Sequence, residues 1–158
     1  MLFRSFRTPP PQRSARLYRA LINTGLASSV SGGIVPTQEP FLYTISVTAT
    51  EGTSLQRLEE TTLAEIDRVC TQGVTESELQ KARTQLRARL VFENDSITNI
   101  AHQLGYFETI GGWRMYPALR EKIEAVTVAG VAAAAAARLK PSNRTVGWFE
   151  PLPVSEEQ

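Results

Sequence analysis

Residues 41–50 read Phe-Leu-Tyr-Thr-Ile-Ser-Val-Thr-Ala-Thr. Phe41, Tyr43, Ile45, Val47 and Ala49 share one face, and Leu42, Thr44, Ser46, Thr48 and Thr50 the other. Strict alternation with a period of two, in residues that suit a pleated backbone, predicts a half-buried strand. The stretch before it, residues 26–35 (Leu-Ala-Ser-Ser-Val-Ser-Gly-Gly-Ile-Val), is small and β-tolerant. Pro36 to Pro40 supply a turn, so 26–35 is the expected antiparallel partner. Upstream, residues 15–23 place Leu17, Ala20 and Leu21 at helical spacing. Gly25 follows, where a left-handed cap takes glycine, which predicts a short helix of about two turns.

Downstream the period changes to that of helices. Ser54 can cap a helix carrying Leu55, Leu58, Leu63, Ile66 and Cys70 on one side, ended by Gly73. Thr75-x-x-Glu78 is a capping box. Behind it Leu79, Ala82, Leu86, Leu90, Ile97, Ile100, Ala101 and Leu104 hold one face, so residues 75–111 are expected to form the longest helical span. Asn94 and Asp95 interrupt it weakly, and Leu79, Leu86, Ile97 and Leu104 are expected to face the sheet. Gly111-Gly112 stops that span. Pro117 to Ala125 predicts a short helix, and Thr127 caps another that runs to Leu139, broken by Pro141 and Asn143. Arg144 to Phe149 reads as a last strand. Strands set apart from helices give an α+β fold, an antiparallel sheet of few strands covered by several helices. Three strands are a small sheet for so much apolar helix surface, which reads as part of a domain.

The 158 residues suffice for one core. Apolar residues make up 42% and charged residues 21%, which excludes a disordered tail and a collagen-like chain. One cysteine, Cys70, excludes an internal disulfide, and Cys70 with a single histidine, His102, gives no metal-ligand set of three or four. No apolar run reaches the ~20 residues of a membrane helix. The net charge of +1 gives no general attraction to nucleic acid or to a membrane surface. Five arginines and no acid fall in residues 1–38, leaving 12 basic residues against 16 acids in the rest. Residues 1–15, with Pro9-Pro10-Pro11, read as a disordered or unrelated leader. It is basic like a transit peptide, but its prolines spoil the amphipathic helix such a signal needs. Residues 16–150 read as the folded part and 151–158 as a tail.

Chemistry-bearing motifs are absent: there is no G-x-G-x-x-G, P-loop, H-E-x-x-H, G-x-S-x-G or C-x-x-C. Gly32-Gly33 lies between β-tolerant segments and opens no helix, as a phosphate loop would. His102, at the edge of an apolar helix face, reads as a packing or surface residue. Cys70 closes its helix stripe as a small buried hydrophobe. Glu59, Glu60, Glu65 and Asp67 make a solvated acidic face. Trp113 and Tyr116 are expected to lock a turn, and Trp148 to pack.

The order of motifs resembles a known family. Leu17-Tyr18-Arg19-Ala20-Leu21, then Thr24-Gly25-Leu26-Ala27-Ser28-Ser29-Val30, is similar to a stretch of insulinase (pitrilysin-type) zinc peptidases. Thr75-Glu76-Ser77-Glu78-Leu79-Gln80-Lys81-Ala82-Arg83 resembles that family's T-x-x-E-L-x-x-A-K helix start. Asp95-Ser96 with Leu104-Gly105 resembles the next stretch. Val126-Thr127, then Pro141-Ser142-Asn143-Arg144-Thr145-Val146-Gly147, resembles its closing helix and strand. The match covers residues 16 to about 149. Two such domains face each other around a chamber, and the zinc ligands lie on H-x-x-E-H in the first. That motif is absent, so the resemblance is to an incomplete second, non-metal domain, lacking strands expected before residue 16. Zinc would belong to the partner domain, and this chain would hold no cofactor. In some members the second domain supplies an Arg and a Tyr seven residues apart that hold the substrate carbonyl. Leu21 and Ser28 occupy those positions, and Arg19 is two residues out of register. No catalytic, cofactor-binding or metal residue is therefore assigned.

The resemblance implies a wall of the substrate chamber that supports peptide binding beside a zinc-bearing domain or subunit. The alternatives are a structural or assembly subunit of the same fold without peptidase activity, or a gene fragment with no independent function. An incomplete sheet with an uncharged edge also predicts self-association.

Overall fold

The computed structural model describes residues 15–34, 37–39 and 41–150. Most of the expected leader and the whole expected tail lie outside these residues. The chain enters through a π-helical segment, Tyr18–Ile22, and turns at Gly25, whose φ of 76° only glycine adopts without strain. Strands β1 (Ala27–Ile34) and β2 (Tyr43–Ala49) pair antiparallel. Five helices follow: α1 (Leu55–Gln72), α2 (Glu76–Glu93), α3 (Ile97–Ile110), α4 (Met115–Ala125) and α5 (Val128–Arg138), with a 3₁₀ turn at Pro141–Asn143. The fold is α+β.

Local chemistry sets the helix boundaries. Ser54 Oγ accepts from the Arg57 amide. Thr75 and Glu78 exchange side-chain and backbone bonds as a full capping box, and Thr127 Oγ1 accepts from the Gly130 amide. Each satisfies N–H groups that a helix start leaves open. Gly73, at φ 70°, ends α1.

The core gathers Leu21, Ala27, Val30 and Leu58, with Leu17, Tyr18, Ile22, Leu26, Val47, Ala49 and Leu55 packed around them. It lies where the entry segment, the base of the sheet and the start of α1 meet. α5 packs on α1, and α4 packs on both α2 and α3.

Four expectations need correction. The predicted last strand does not form: residues 144–150 carry no regular structure and are all exposed, so the sheet among the described residues has two strands. The long helix is two helices. α2 ends at Asn94, whose amide takes up the Leu90, Val91 and Phe92 carbonyls, and Ser96 restarts the chain in extended conformation. Asn, Asp and Ser in sequence compete with helical hydrogen bonding. The apolar stripe also does not face the sheet throughout: Leu79 is buried, but Leu86 is 45% and Ile97 88% exposed. α2 packs on α4 instead, and that narrower contact leaves Leu86 outside it. The helix predicted from Pro117 begins two residues earlier, at Met115.

Candidate functional site

The sheet is the part of the molecule with unmet bonding capacity. Ala27 pairs with Ala49, but Ser29 pairs with Thr48, so Ser28 is an extra residue bulged out of β1. The bulge keeps both Ala27 and Val30 on the core face although they are three apart. One face then carries Ala27, Val30, Gly32 and Ile34 opposite Ala49, Val47, Ile45 and Tyr43. The other carries Ser29, Ser31, Thr44, Ser46 and Thr48, all exposed.

Only the base of the inner face is covered. At its far end Ile34 is 60% and Tyr43 55% exposed. A side chain at Gly32 would meet the Tyr43 hydroxyl at 3.2 Å and the Thr44 carbonyl at 3.4 Å, so glycine lets Tyr43 lie across the sheet.

The direction of the free bonding groups follows from one contact. The Thr50 amide donates to the Leu26 carbonyl at 3.1 Å. By the alternation of an antiparallel ladder, Thr48, Ser46 and Thr44 also bond toward β1. The N–H and C=O of Val47, Ile45 and Tyr43 therefore point outward on the β2 edge, and those of Val30, Gly32 and Ile34 on the β1 edge. Between Leu26 and Thr50 the only ionisable charge is Glu39, so little guards either edge.

An ion pair fixes the entry segment beside this sheet. Arg16 Nε and Nη2 donate to the two Glu78 carboxylate oxygens at 2.7 and 2.8 Å, and Nη2 also donates to the Gly73 carbonyl at 3.1 Å. The Arg16 hydrogen bond first, and the Thr75 amide second, push the Glu78 carboxyl down to about 2. Sequence reading found the capping box but not this clamp. Arg16 lies 62 residues from Glu78, and only the fold brings them together.

The other candidate residues stand apart. Leu21 is wholly buried. Ser28 is exposed, its hydroxyl donating to the Thr48 and Ala49 carbonyls at 3.3 and 3.4 Å. Arg19 is exposed, and His102 is exposed on α3. Cys70 is half-buried, with its sulfur 3.9 Å from the Ala135 and Leu139 carbonyls, so it packs α1 on α5. Of the acidic face, Glu65 pairs with Arg68, and Glu60 and Asp67 are exposed. Tyr116 is buried and donates to Asn94 Oδ1 at 2.8 Å, which holds the α2–α3 break. Trp113, by contrast, is exposed, with the Arg114 guanidinium 4.8 Å from its ring. Trp148 does not pack into a core; its indole donates to Glu59 Oε2 at 2.9 Å. A cleft of about 400 Å³ between α2 and α4 is lined by Arg87, Leu90, Asn94, Tyr116 and Arg120, but Arg87 is paired with Glu124 at 3.2 Å. Among the described residues no group of three or more His, Cys, Asp or Glu could hold a metal ion.

Comparison with known proteins places this architecture. The family model described as the peptidase M16 inactive domain matches residues 2–86, more than half of the chain. A proposed zinc protease from Bordetella pertussis Tohama I is 26% identical, with a TM-score of 0.80 over 89% of this chain and 78% of its own. The inactive peptidase domain of a proposed zinc protease from Bordetella parapertussis is 25% identical, with a TM-score of 0.83 over 92% and 80%. A protease from Helicobacter pylori, 14% identical, shares the fold with a TM-score of 0.78 over 84% of this chain and 32% of its own. No curated protein matches.

Proposed function

The chain belongs to the M16 (insulinase-type) zinc peptidase family as its inactive, C-terminal domain, and on that premise we propose that it walls a substrate chamber opposite a zinc-bearing domain and lends a sheet edge to the peptide. The observation that carries this reading is the open β1 edge. Val30, Gly32 and Ile34 turn their backbone groups outward there, and Gly33 has no atom within 4 Å of where a Cβ would sit. Glycine in a strand permits close approach of a second backbone. A peptide added as a strand is held through main-chain bonds that ignore its sequence. Hydrolysis would remain the task of the zinc-bearing partner, whose metal and general base activate water.

Leu21 and Ser28 favour a second reading. Where some relatives would have a carbonyl-binding pair, one residue here is core and the other is bonded to the ladder. That suits a structural subunit that does not handle peptide.

Reconstitution tests both. Alone with zinc, the purified chain is expected to give no chelator-sensitive cleavage of a quenched peptide. Adding it to a zinc-bearing M16 catalytic domain should raise turnover. Ile34→Pro, which takes an outward donor from the β1 edge, should reduce that gain while leaving helicity unchanged. Cleavage by the chain alone would overturn the non-catalytic assignment. Complex formation without a gain in turnover would select the structural reading.

A further inference from the structure

Of the two adjacent glycines in β1, the chain's own packing requires only one. Tyr43 lies across Gly32, where a Cβ would meet its hydroxyl at 3.2 Å. Gly33 belongs to the opposite face, paired with Thr44. A Cβ there would have no atom within 4 Å. The glycines of positive φ among the described residues are Gly25, Gly52, Gly73 and Gly112, so the backbone at Gly33 is one that any residue adopts. Glycine inside a strand weakens it and marks a place where something else comes close, and at Gly33 nothing in this chain does. Resting on the reading that a peptide adds to the β1 edge, we propose that Gly33 is a specificity position: the edge selects uncharged, β-prone segments that lay an aromatic ring over it.

The ladder decides which side chain arrives there. Val30, Gly32 and Ile34 direct their backbone groups outward, so an added antiparallel strand bonds to those three. Gly33 bonds toward β2 and meets the incoming strand as a non-hydrogen-bonded pair. In such a pair the two Cα atoms come to about 4.5 Å and the side chains are closest. A ring on the incoming residue then lies against the bare Gly33 backbone, the arrangement by which an aromatic partner compensates a strand glycine. Ser31 and Thr44 flank the spot on the same face and are exposed. The Thr44 hydroxyl donates to the Gly33 carbonyl at 3.4 Å, and a ring placed there shields that bond from water. Gly32 cannot take the ring instead, because Tyr43 already fills its gap.

The rest of the edge sets the remaining requirements. On the inner face the incoming strand meets Val30 and Ile34, and Ile34 is 60% exposed, so β-branched residues there bury apolar surface on both sides. No residue from Leu26 to Gln38 is ionisable. A charged side chain in the incoming strand would find no counter-charge along the edge and would lose part of its hydration. The complementary occupant is therefore an uncharged strand with its aromatic residue on the hydroxyl-bearing face.

Fluorescence anisotropy on the full chain tests this with two end-labelled heptapeptides of alternating Val and Thr, the central Thr replaced by Phe in one and by Ala in the other. The Phe peptide should bind about fivefold more tightly, the upper range of a cross-strand pair. Gly33→Val fills the gap with a residue that suits a strand and should bring the Phe peptide to the affinity of the Ala peptide. In NMR spectra of the full chain, the Phe peptide should move the Gly33 Hα resonances upfield through its ring current, and a cyclohexylalanine peptide of similar bulk should not. Equal binding of the Phe and Ala peptides, a preference that survives Gly33→Val, or an unmoved Gly33 signal would each overturn the specificity while leaving the edge as a peptide site. Failure of both peptides to bind a chain that is folded by circular dichroism would overturn the edge reading and this inference with it.

Discussion

The base of the sheet and the α2–α3–α4 arm use similar residues to different effect. At the base, the entry segment, β1 and α1 converge from three directions, and Leu21 is 0% exposed. In the arm, α4 touches α2 and α3 along narrow contacts. Phe107 stacks on Tyr116 at 5.4 Å, but Val91, Phe92 and Ile97 face outward. An apolar stripe does not bury itself. It needs a facing surface wide enough to cover it, and the arm presents only one helix where the base presents a sheet and two helical elements.

That contrast predicts where substitutions act. Leu21→Ala should be the most damaging, at about 2–5 kcal/mol, because it removes a fully buried side chain and leaves a cavity. Urea melts followed by circular dichroism measure it, and a loss below about 1 kcal/mol would place the stability of the molecule elsewhere.

Glu78→Gln should cost about 1–2 kcal/mol, since it breaks a bidentate arginine bond at a half-exposed site along with part of a helix cap. The Glu78 carboxyl is held below its ordinary 4.5, at about 2. Its contribution is therefore fully present above about pH 4.5 and fades as the pH falls toward 2. Stability curves of the wild type and the Gln variant should converge over that window. Parallel curves down to pH 2 would show that the clamp does not couple to folding.

Leu86→Asp should be the mildest, within about 0.5–1 kcal/mol, because the side chain is already half in water. The helical stripe read from sequence predicts a loss of several kcal/mol at this position, so this variant discriminates directly between the stripe and the fold. A large loss would mean that the arm is covered by a surface absent from the single chain.

Much of the local structure was legible because its causes are local. Ser54, Thr75 and Thr127 cap the helices they precede, since each hydroxyl reaches an amide three residues on. Gly25 and Gly73 end theirs, since each adopts a positive φ that other residues avoid. The alternation over 41–50 identified β2, and the order of motifs identified the family. The break at Asn94 is only half legible in the sequence, because the apolar spacing continues across it and the Tyr116 contact that holds it comes from 22 residues away.

What sequence could not determine is which surfaces meet. The Arg16–Glu78 clamp spans 62 positions and follows from no spacing rule. The 144–149 segment has every local property of a strand, yet a strand exists only where a neighbouring backbone completes its hydrogen bonds. By itself, then, the sequence determined the helix caps, the period of each element and the family. Only the tertiary structure decided that Leu86 stays in water and that, among the described residues, two strands pair rather than three and leave the sheet edges open, because burial and strand pairing belong to two surfaces at once.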